Sequence, residues 1–278
     1  MSDANPSFPP FQVALIGFGE AGETFARAGA WKRHSHGWDL LPERQTAMAG
    51  CGVEAAADPA EALANAEVVL SLVTADAALP AAQEYAPLLH EGTIWCDMNS
   101  VAPDTKRAAA AAVEAAGGRY VDIAVMAPVE PAALAVPLLL AGPHASPAQA
   151  MLYALGFTNT RIVGDEVGRA SAIKMIRSVM VKGLEALSSE CAAAADAGGV
   201  FDEVMASLDA SEKAGGWAER VAYNRERMAT HGLRRAAEME ESAKTLEALG
   251  VEPVMTRGTV QRQREAATKN KNERNEAA

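Results

Sequence analysis

The chain has 278 residues, enough for two domains of the usual ~100–200 residues, and 25 Lys plus Arg against 36 Asp plus Glu give it a net charge of −11. A surface so charged repels a phosphate backbone, so nucleic acid is not expected as a partner. Apolar residues make up 49% of the chain, yet no uncharged apolar run approaches the ~18 residues a spanning helix needs, and no membrane partner is expected.

The opening MSDANPSFPP is polar and proline-rich and lacks the basic start and apolar centre of a secretory signal, so it reads as a short flexible arm of a cytoplasmic protein. FQVALIG (11–17) is a short apolar run suited to a buried parallel strand, and a helical pattern follows from Glu20 to about Arg33. A short strand is expected at GWDL (37–40). AEVVLSLV (66–73) and GTIWCDM (92–98) are nearly unbroken apolar runs that must be covered on both faces, and RYVDIAV (119–125) and PLLLAG (137–142) read as two more strands. Alanine-rich helical segments lie between them at 58–66, 80–90 and 103–117. Strand and helix thus alternate through about residue 163, as in a parallel sheet with helices on both faces.

From Asp165 onward the strand signals stop. Residues 167–198 read as one long helix, with Ile173, Ile176, Met180, Leu184 and Leu187 at three- and four-residue steps marking an apolar face. Helical patterns continue at 200–210 and 234–250. The last stretch, 261–278, has little to bury and is expected to fray or to dock on a partner chain. The expected organisation is therefore an α/β domain over residues 1–165 and an all-helical domain over 166–278. Cys51, Cys96 and Cys191 are odd in number and far apart, without histidines at metal-ligand spacing, and read as small core residues of a reduced protein; no metal site is expected.

One motif carries chemistry. Gly17, Gly19 and Gly22 stand at G-x-G-x-x-G spacing between the first strand and the first helix. Gly17 allows the tight turn, Gly19 leaves room for a pyrophosphate, and Gly22 permits close packing of helix on sheet. Asp39 lies 22 residues after Gly17, where a carboxylate reaches the ribose hydroxyls. Cofactor contacts are expected from Gly17, Phe18, Gly19, Glu20, Ala21, Gly22, Asp39, Val73, Thr74 and Asn99. A carboxylate at 39 repels a 2′-phosphate, which favours NAD over NADP, with Arg44 as the counter-indication.

The order of segments resembles the β-hydroxyacid dehydrogenase family, which contains 6-phosphogluconate and 3-hydroxyisobutyrate dehydrogenases. The resemblance rests on GFGEAG (17–22), LVTADAA (72–78), DMNSVAPDTKR (97–107), YVDIAVMAPV (120–129), GRASAIKMIRS (168–178) and Glu190, while HGLRRAAEMEE (231–241) is similar to a subgroup with a poorly characterised C-terminal domain. It implies a Rossmann-like doubly wound sheet followed by a helical dimerisation domain, and oxidation of a hydroxyl by hydride transfer to a nicotinamide. The family's catalytic lysine falls on Lys174. Early in a helix, in a cleft and near Arg177, such a lysine would exchange its proton readily and serve as general acid/base.

The pocket departs from the family pattern. Ser178 stands where the family usually has a substrate-orienting asparagine, Met126, Ala127 and Pro128 replace a serine-glycine-glycine, and Asn99 and Ser100 replace serine-threonine. Asn99, Ser100, Met126, Ala127, Ser178, His231 and Arg234 are the expected substrate contacts, and a bulkier or less acidic alcohol than a short hydroxyacid is the expected small-molecule substrate. Two other readings stand beside this one. Imine reductases resemble the family but generally lack the lysine, and a non-catalytic dinucleotide-binding sensor would explain the missing asparagine and glycines.

Overall fold

A computed structural model of the chain describes residues 11–211 and 216–276, so the expected N-terminal arm, residues 1–10, lies outside the described residues. The elements run β1 (Val13–Ile16), α1 (Glu20–Gly29), β2 (Ser35–Trp38), α2 (Glu43–Gly50), β3 (Glu54–Ala55), α3 (Pro59–Leu63), β4 (Val68–Ser71), α4 (Ala78–Tyr85), β5 (Ile94–Asp97), α5 (Pro103–Ala115), β6 (Arg119–Val125), β7 (Leu138–Ala141), α6 (Ala145–Ala154) and β8 (Thr160–Gly164). Four helices follow: α7 (Arg169–Gly198), α8 (Phe201–Ser211), α9 (Trp217–Ala248) and α10 (Val254–Glu276). The chain divides into two compact units between Arg177 and Ser178, inside α7 rather than ahead of it.

The first unit is built on one eight-stranded sheet of order β3-β2-β1-β4-β5-β6-β7-β8. Its central strands are buried on both faces: Val13 and Leu15 enter one apolar layer with Phe25, Met48 and Val68, while Ala14 and Ile16 enter the other with Val69, Trp95 and Tyr120. That two-sided burial is why these strands read as unbroken apolar runs. The expected all-parallel sheet needs one correction, because β7 runs antiparallel to β6 and β8 then pairs parallel with β7. A parallel return needs a crossover of a dozen or more residues, usually a helix. The connection from Met126 to Pro137 carries Pro128, Pro131 and Pro137 and forms only a single turn of 3-10 helix, so the chain doubles back instead.

Among the described residues of the second unit, every secondary-structure element is a helix. Of the C-terminal stretch expected to fray or to dock on a partner chain, residues 261–276 are part of α10, which packs along α9, with Ala236, Ala243 and Val260 buried. Gly232 makes that approach possible, since a Cβ there would lie 2.3 Å from the Gln263 carbonyl oxygen. Glu190, on α7, caps α10 from outside: its carboxylate accepts hydrogen bonds from the amides of Met255 (2.7 Å) and Thr256 (2.9 Å) and from the Thr256 hydroxyl (2.6 Å). The residue ahead of α10 is Pro253, which has no side-chain acceptor to do so itself. Partial burial pushes the Glu190 carboxyl up, but the bonds from Thr256 and Met255 outweigh it and hold it below its ordinary value.

A carboxyl held low in the folded state stabilises above its unfolded value, near 4.5, and loses that contribution as the pH falls through and below it. Glu190→Gln is expected to cost about 1–2 kcal/mol at neutral pH, the usual worth of a helix cap with charged acceptors. Urea unfolding at pH 7 and again near pH 3 checks this, the gap between the two proteins closing at the acid end.

Candidate active site

Strand order reverses between β1 and β4, and the loops after these two strands diverge to open a trough at the carboxyl end of the sheet. Two cavities lie along it. The larger, about 430 Å³, is lined by Gly17, Gly19, Asp39, Val73 and Thr74 together with Trp38, Leu40, Leu41, Arg44, Pro80 and Tyr85. The smaller, about 340 Å³, is lined by Glu20, Ala21, Met98, Asn99, Ser100, Val125, Ala127, Pro128, Val129 and Lys174. Leu72 and Val73 belong to both, so the two adjoin.

The three glycines do different things. Gly17 sits at φ +89°, and a Cβ on it would lie 2.6 Å from the Leu72 carbonyl oxygen; a Cβ on Gly22 would lie 2.9 Å from the Gly17 carbonyl oxygen. These two are demanded by the fold. At Gly19 a Cβ would meet no protein atom within 4 Å, so its bareness serves whatever enters the trough. Gly19 also precedes α1 without any side-chain cap, which leaves the first-turn amides of that helix for an anion. The residues present therefore fit a dinucleotide: the bare Gly19 and the uncapped start of α1 suit a pyrophosphate, and the two adjoining cavities offer room on either side of it.

Asp39 closes the glycine turn, accepting from the Phe18 amide at 2.6 Å and from the Leu41 amide at 2.9 Å. Phe18 turns its ring into the core and contributes no side chain to the trough. Gly22 is likewise buried. On the other side, Lys174 Nζ donates to Ser100 Oγ at 2.5 Å, joining residues 74 apart in sequence on the wall of the smaller cavity. Asn99 is buried, and its Nδ2 donates to Ser71 Oγ at 2.9 Å while its Oδ1 has no partner. Ala127 lines the cavity; Met126 instead packs with Ala124, Leu139, Ala141 and Ala170. Ser178, half-buried, follows Lys174 by one helical turn on α7 and opens the second unit, while His231 and Arg234 are exposed on α9 within that unit.

Sequence reasoning passed over the group beneath the smaller cavity. Lys106, on α5, has no solvent exposure. Its Nζ donates to Asp97 Oδ1 (2.9 Å) and to the Asp97 carbonyl (2.6 Å), and lies 3.6 Å from Asp122 Oδ1. The Tyr120 hydroxyl donates to Asp97 Oδ2 at 2.6 Å; burial first, and then the Asp97 charge, push that phenol far above its ordinary value. Burial likewise pushes the Cys96 thiol up to about 12, so this cysteine is an inert core residue, whereas Cys51 and Cys191 are half-buried. A signal was present: Asp97 and Asp122 interrupt apolar strands, where a charge has to find a partner.

An α/β sheet whose switch point opens onto a glycine turn is a dinucleotide-binding domain of the oxidoreductase kind. Comparison with known proteins narrows this class. Residues 12–158, more than half of the chain, match the NAD-binding domain of 6-phosphogluconate dehydrogenase, and the protein belongs to that family of NAD(P)-dependent oxidoreductases. Residues 195–266 match a domain of unknown function, DUF1932. The chain is 37% identical to a conserved hypothetical protein of Sinorhizobium meliloti 1021, over 95% of this chain and 91% of that one, with a TM-score of 0.61. It is 28% identical to a conserved protein described as structurally similar to 3-hydroxyacid dehydrogenases, over 93% and 98% of the two chains, with a TM-score of 0.61. An imine reductase of Streptomyces aurantiacus shares the fold at a TM-score of 0.74 and 22% identity, over 93% and 95%.

The glycines separate cofactor binding from folding. Gly19→Ala is expected to leave the unfolding midpoint unchanged and to weaken NAD binding by about 1–3 kcal/mol, the scale of a methyl forced into a close contact. Gly22→Ala is expected to lower the melting temperature instead. Calorimetric titration with NAD and thermal unfolding of both variants test the distinction.

Proposed function

We propose that the protein transfers a hydride between a nicotinamide cofactor and a secondary alcohol or β-hydroxyacid-type substrate, with Lys174 as the general acid/base. The observation that carries this reading is the contact of Lys174 Nζ with Ser100 Oγ on the wall of the cavity next to the glycine turn. When bound, the nicotinamide supplies the hydride acceptor of the oxidation direction. Lys174, as the amine, takes the hydroxyl proton at Nζ and returns it in the reverse direction. Ser100 holds that nitrogen in place and offers a hydroxyl to the substrate oxygen. Asn99 presents a fixed amide edge, and its unpartnered Oδ1 accepts a hydrogen bond from a ligand donor. Met98, Val125 and Val129 keep water from the reacting carbon.

Pro128 has no amide to give where the cavity wall meets a substrate acid group, which favours a bulkier or less acidic alcohol over a short hydroxyacid. Asp39 disfavours a 2′-phosphate, while the half-buried Arg44 on the same cavity leaves NADP accessible as the second cofactor. His231 and Arg234 are assigned a secondary role as anchors for an acidic substrate group, arginine being suited to bidentate carboxylate binding. The working form is a homodimer. Val179, 76% exposed, lies on α7 with the exposed Ile176, Met180, Leu184 and Leu187, and an apolar helix face of this length calls for a covering surface. Among the described residues no helix is long and apolar enough to cross a membrane.

Lys174→Ala is expected to lower kcat by about 10²–10⁴, the usual worth of a general acid/base, in a screen of alcohols with NAD and NADP, and to leave NAD affinity unchanged. Preserved turnover would remove Lys174 from the chemistry, and faster reduction of cyclic imines than of ketones would favour imine reduction. Val179→Glu is expected to shift the mass in light scattering from dimer to monomer; a wild-type protein already monomeric at micromolar concentration would contradict the dimer.

A further inference from the structure

The helix that carries Lys174 cannot cap itself. Gly168, the residue before α7, sits at φ +99°, in the left-handed region that L side chains rarely adopt, so a serine or aspartate cap there would be strained. The acceptor comes instead from β6. Asp122 Oδ2 accepts from the Gly168 amide (3.0 Å) and the Ser171 amide (3.0 Å), and the Ser171 hydroxyl lies within reach of both Asp122 Oδ2 (3.2 Å) and the Gly168 carbonyl (3.0 Å), so that it holds the same turn by either bond. The other Asp122 oxygen faces Lys106 at 3.6 Å. Lys106 in turn holds Asp97, and Asp97 Oδ1 accepts from the Asn99 amide at 2.9 Å, fixing the turn that presents Ser100. One buried group therefore grips both segments that meet in the Lys174–Ser100 pair: the end of β5 through Asp97, and the start of α7 through Asp122.

We infer that Asp97, Lys106 and Asp122 form a buried clamp of positioning residues that sets where the Lys174 amine stands against Ser100. The inference rests on Lys174 being the acid/base of the proposed reaction, but what the clamp does is visible without turnover. Lys174 follows Ser171 by three positions, less than one helical turn, so loosening the first turn of α7 moves the amine. Lys106 ties that turn to the strand end bearing Ser100. Asp122→Asn tests this cleanly. The amide can turn its oxygen to the α7 amides, and then its NH2 faces the Lys106 ammonium, donor against donor. Turned the other way, it presents donors to the Gly168 and Ser171 amides. Either orientation breaks half of the clamp.

The readout is trace acetylation by acetic anhydride, with the modification at Lys174 quantified by peptide mass spectrometry relative to the exposed Lys32. Ser100→Ala, which removes the Ser100 acceptor, gives the reference size for losing this contact. Asp122→Asn, Ser171→Ala and Lys106→Met are each expected to raise the Lys174-to-Lys32 ratio at least threefold. Leu152→Ala, a core truncation in the same unit, is expected to lower the melting temperature with the ratio unchanged, which separates positioning from general loss of stability. If Lys106→Met fails to fold, Asp122→Asn and Ser171→Ala decide. A ratio equal to wild type in those two folded variants, or an equal rise in Leu152→Ala, overturns the clamp. Turnover is not read, so failure here leaves the role of Lys174 standing, and an active Lys174→Ala protein leaves the clamp standing.

Discussion

An ammonium group sealed from water stands between two carboxylates at the centre of the first unit, and the sheet, the helix α5 and the start of α7 meet around it. Removing one member of such a buried set costs about 3–5 kcal/mol, because the charge left behind has neither water nor partner. Apolar residues of the same volume would pack there at no electrostatic cost. The charges instead bring direction: carboxylate oxygens and amide hydrogens meet in few geometries, whereas methyl groups slide. The neighbourhood this network orders is the one where Asn99, Ser100 and Lys174 come together.

The same device recurs in the second unit. Glu190 lends its carboxylate to the first turn of α10 as Asp122 does to α7, and in both cases the residue ahead of the helix, Pro253 or Gly168, offers no acceptor of its own. A cap borrowed from another element ties two segments together, while a local cap only ends one. Two long helices are thereby anchored by single side chains distant in sequence.

Much of this was legible in the chain. The apolar strands, the glycine turn and Asp39 are local patterns, and they imply the sheet and its trough because the helix dipole, the missing Cβ atoms and two-sided burial are properties of neighbouring residues. Lys174 came from resemblance rather than from its own spacing, which would equally suit a solvated helix face. The antiparallel β7 was written in the prolines between Met126 and Pro137 but masked by the apolar run that follows. The helices α2 and α6 and the outer strands β3 and β8 were not anticipated, since their short stretches carry weak periodicity and take their form from packing on elements already in place. The buried network was hidden for another reason. Asp97, Lys106 and Asp122 lie on three elements, and nothing in their sequence spacing indicates that folding brings the two carboxylates within ion-pair distance of the ammonium.

Gly19 has an evolutionary corollary. Gly17 and Gly22 are held to glycine by backbone atoms close to where a Cβ would stand, whereas a Cβ at position 19 would touch nothing in the protein itself. A lineage released from its cofactor can accept a larger residue there at no penalty to the scaffold, and the same architecture then persists as a stable shell without redox competence. Position 19 is thus where the turn can lose its ligand and keep its shape.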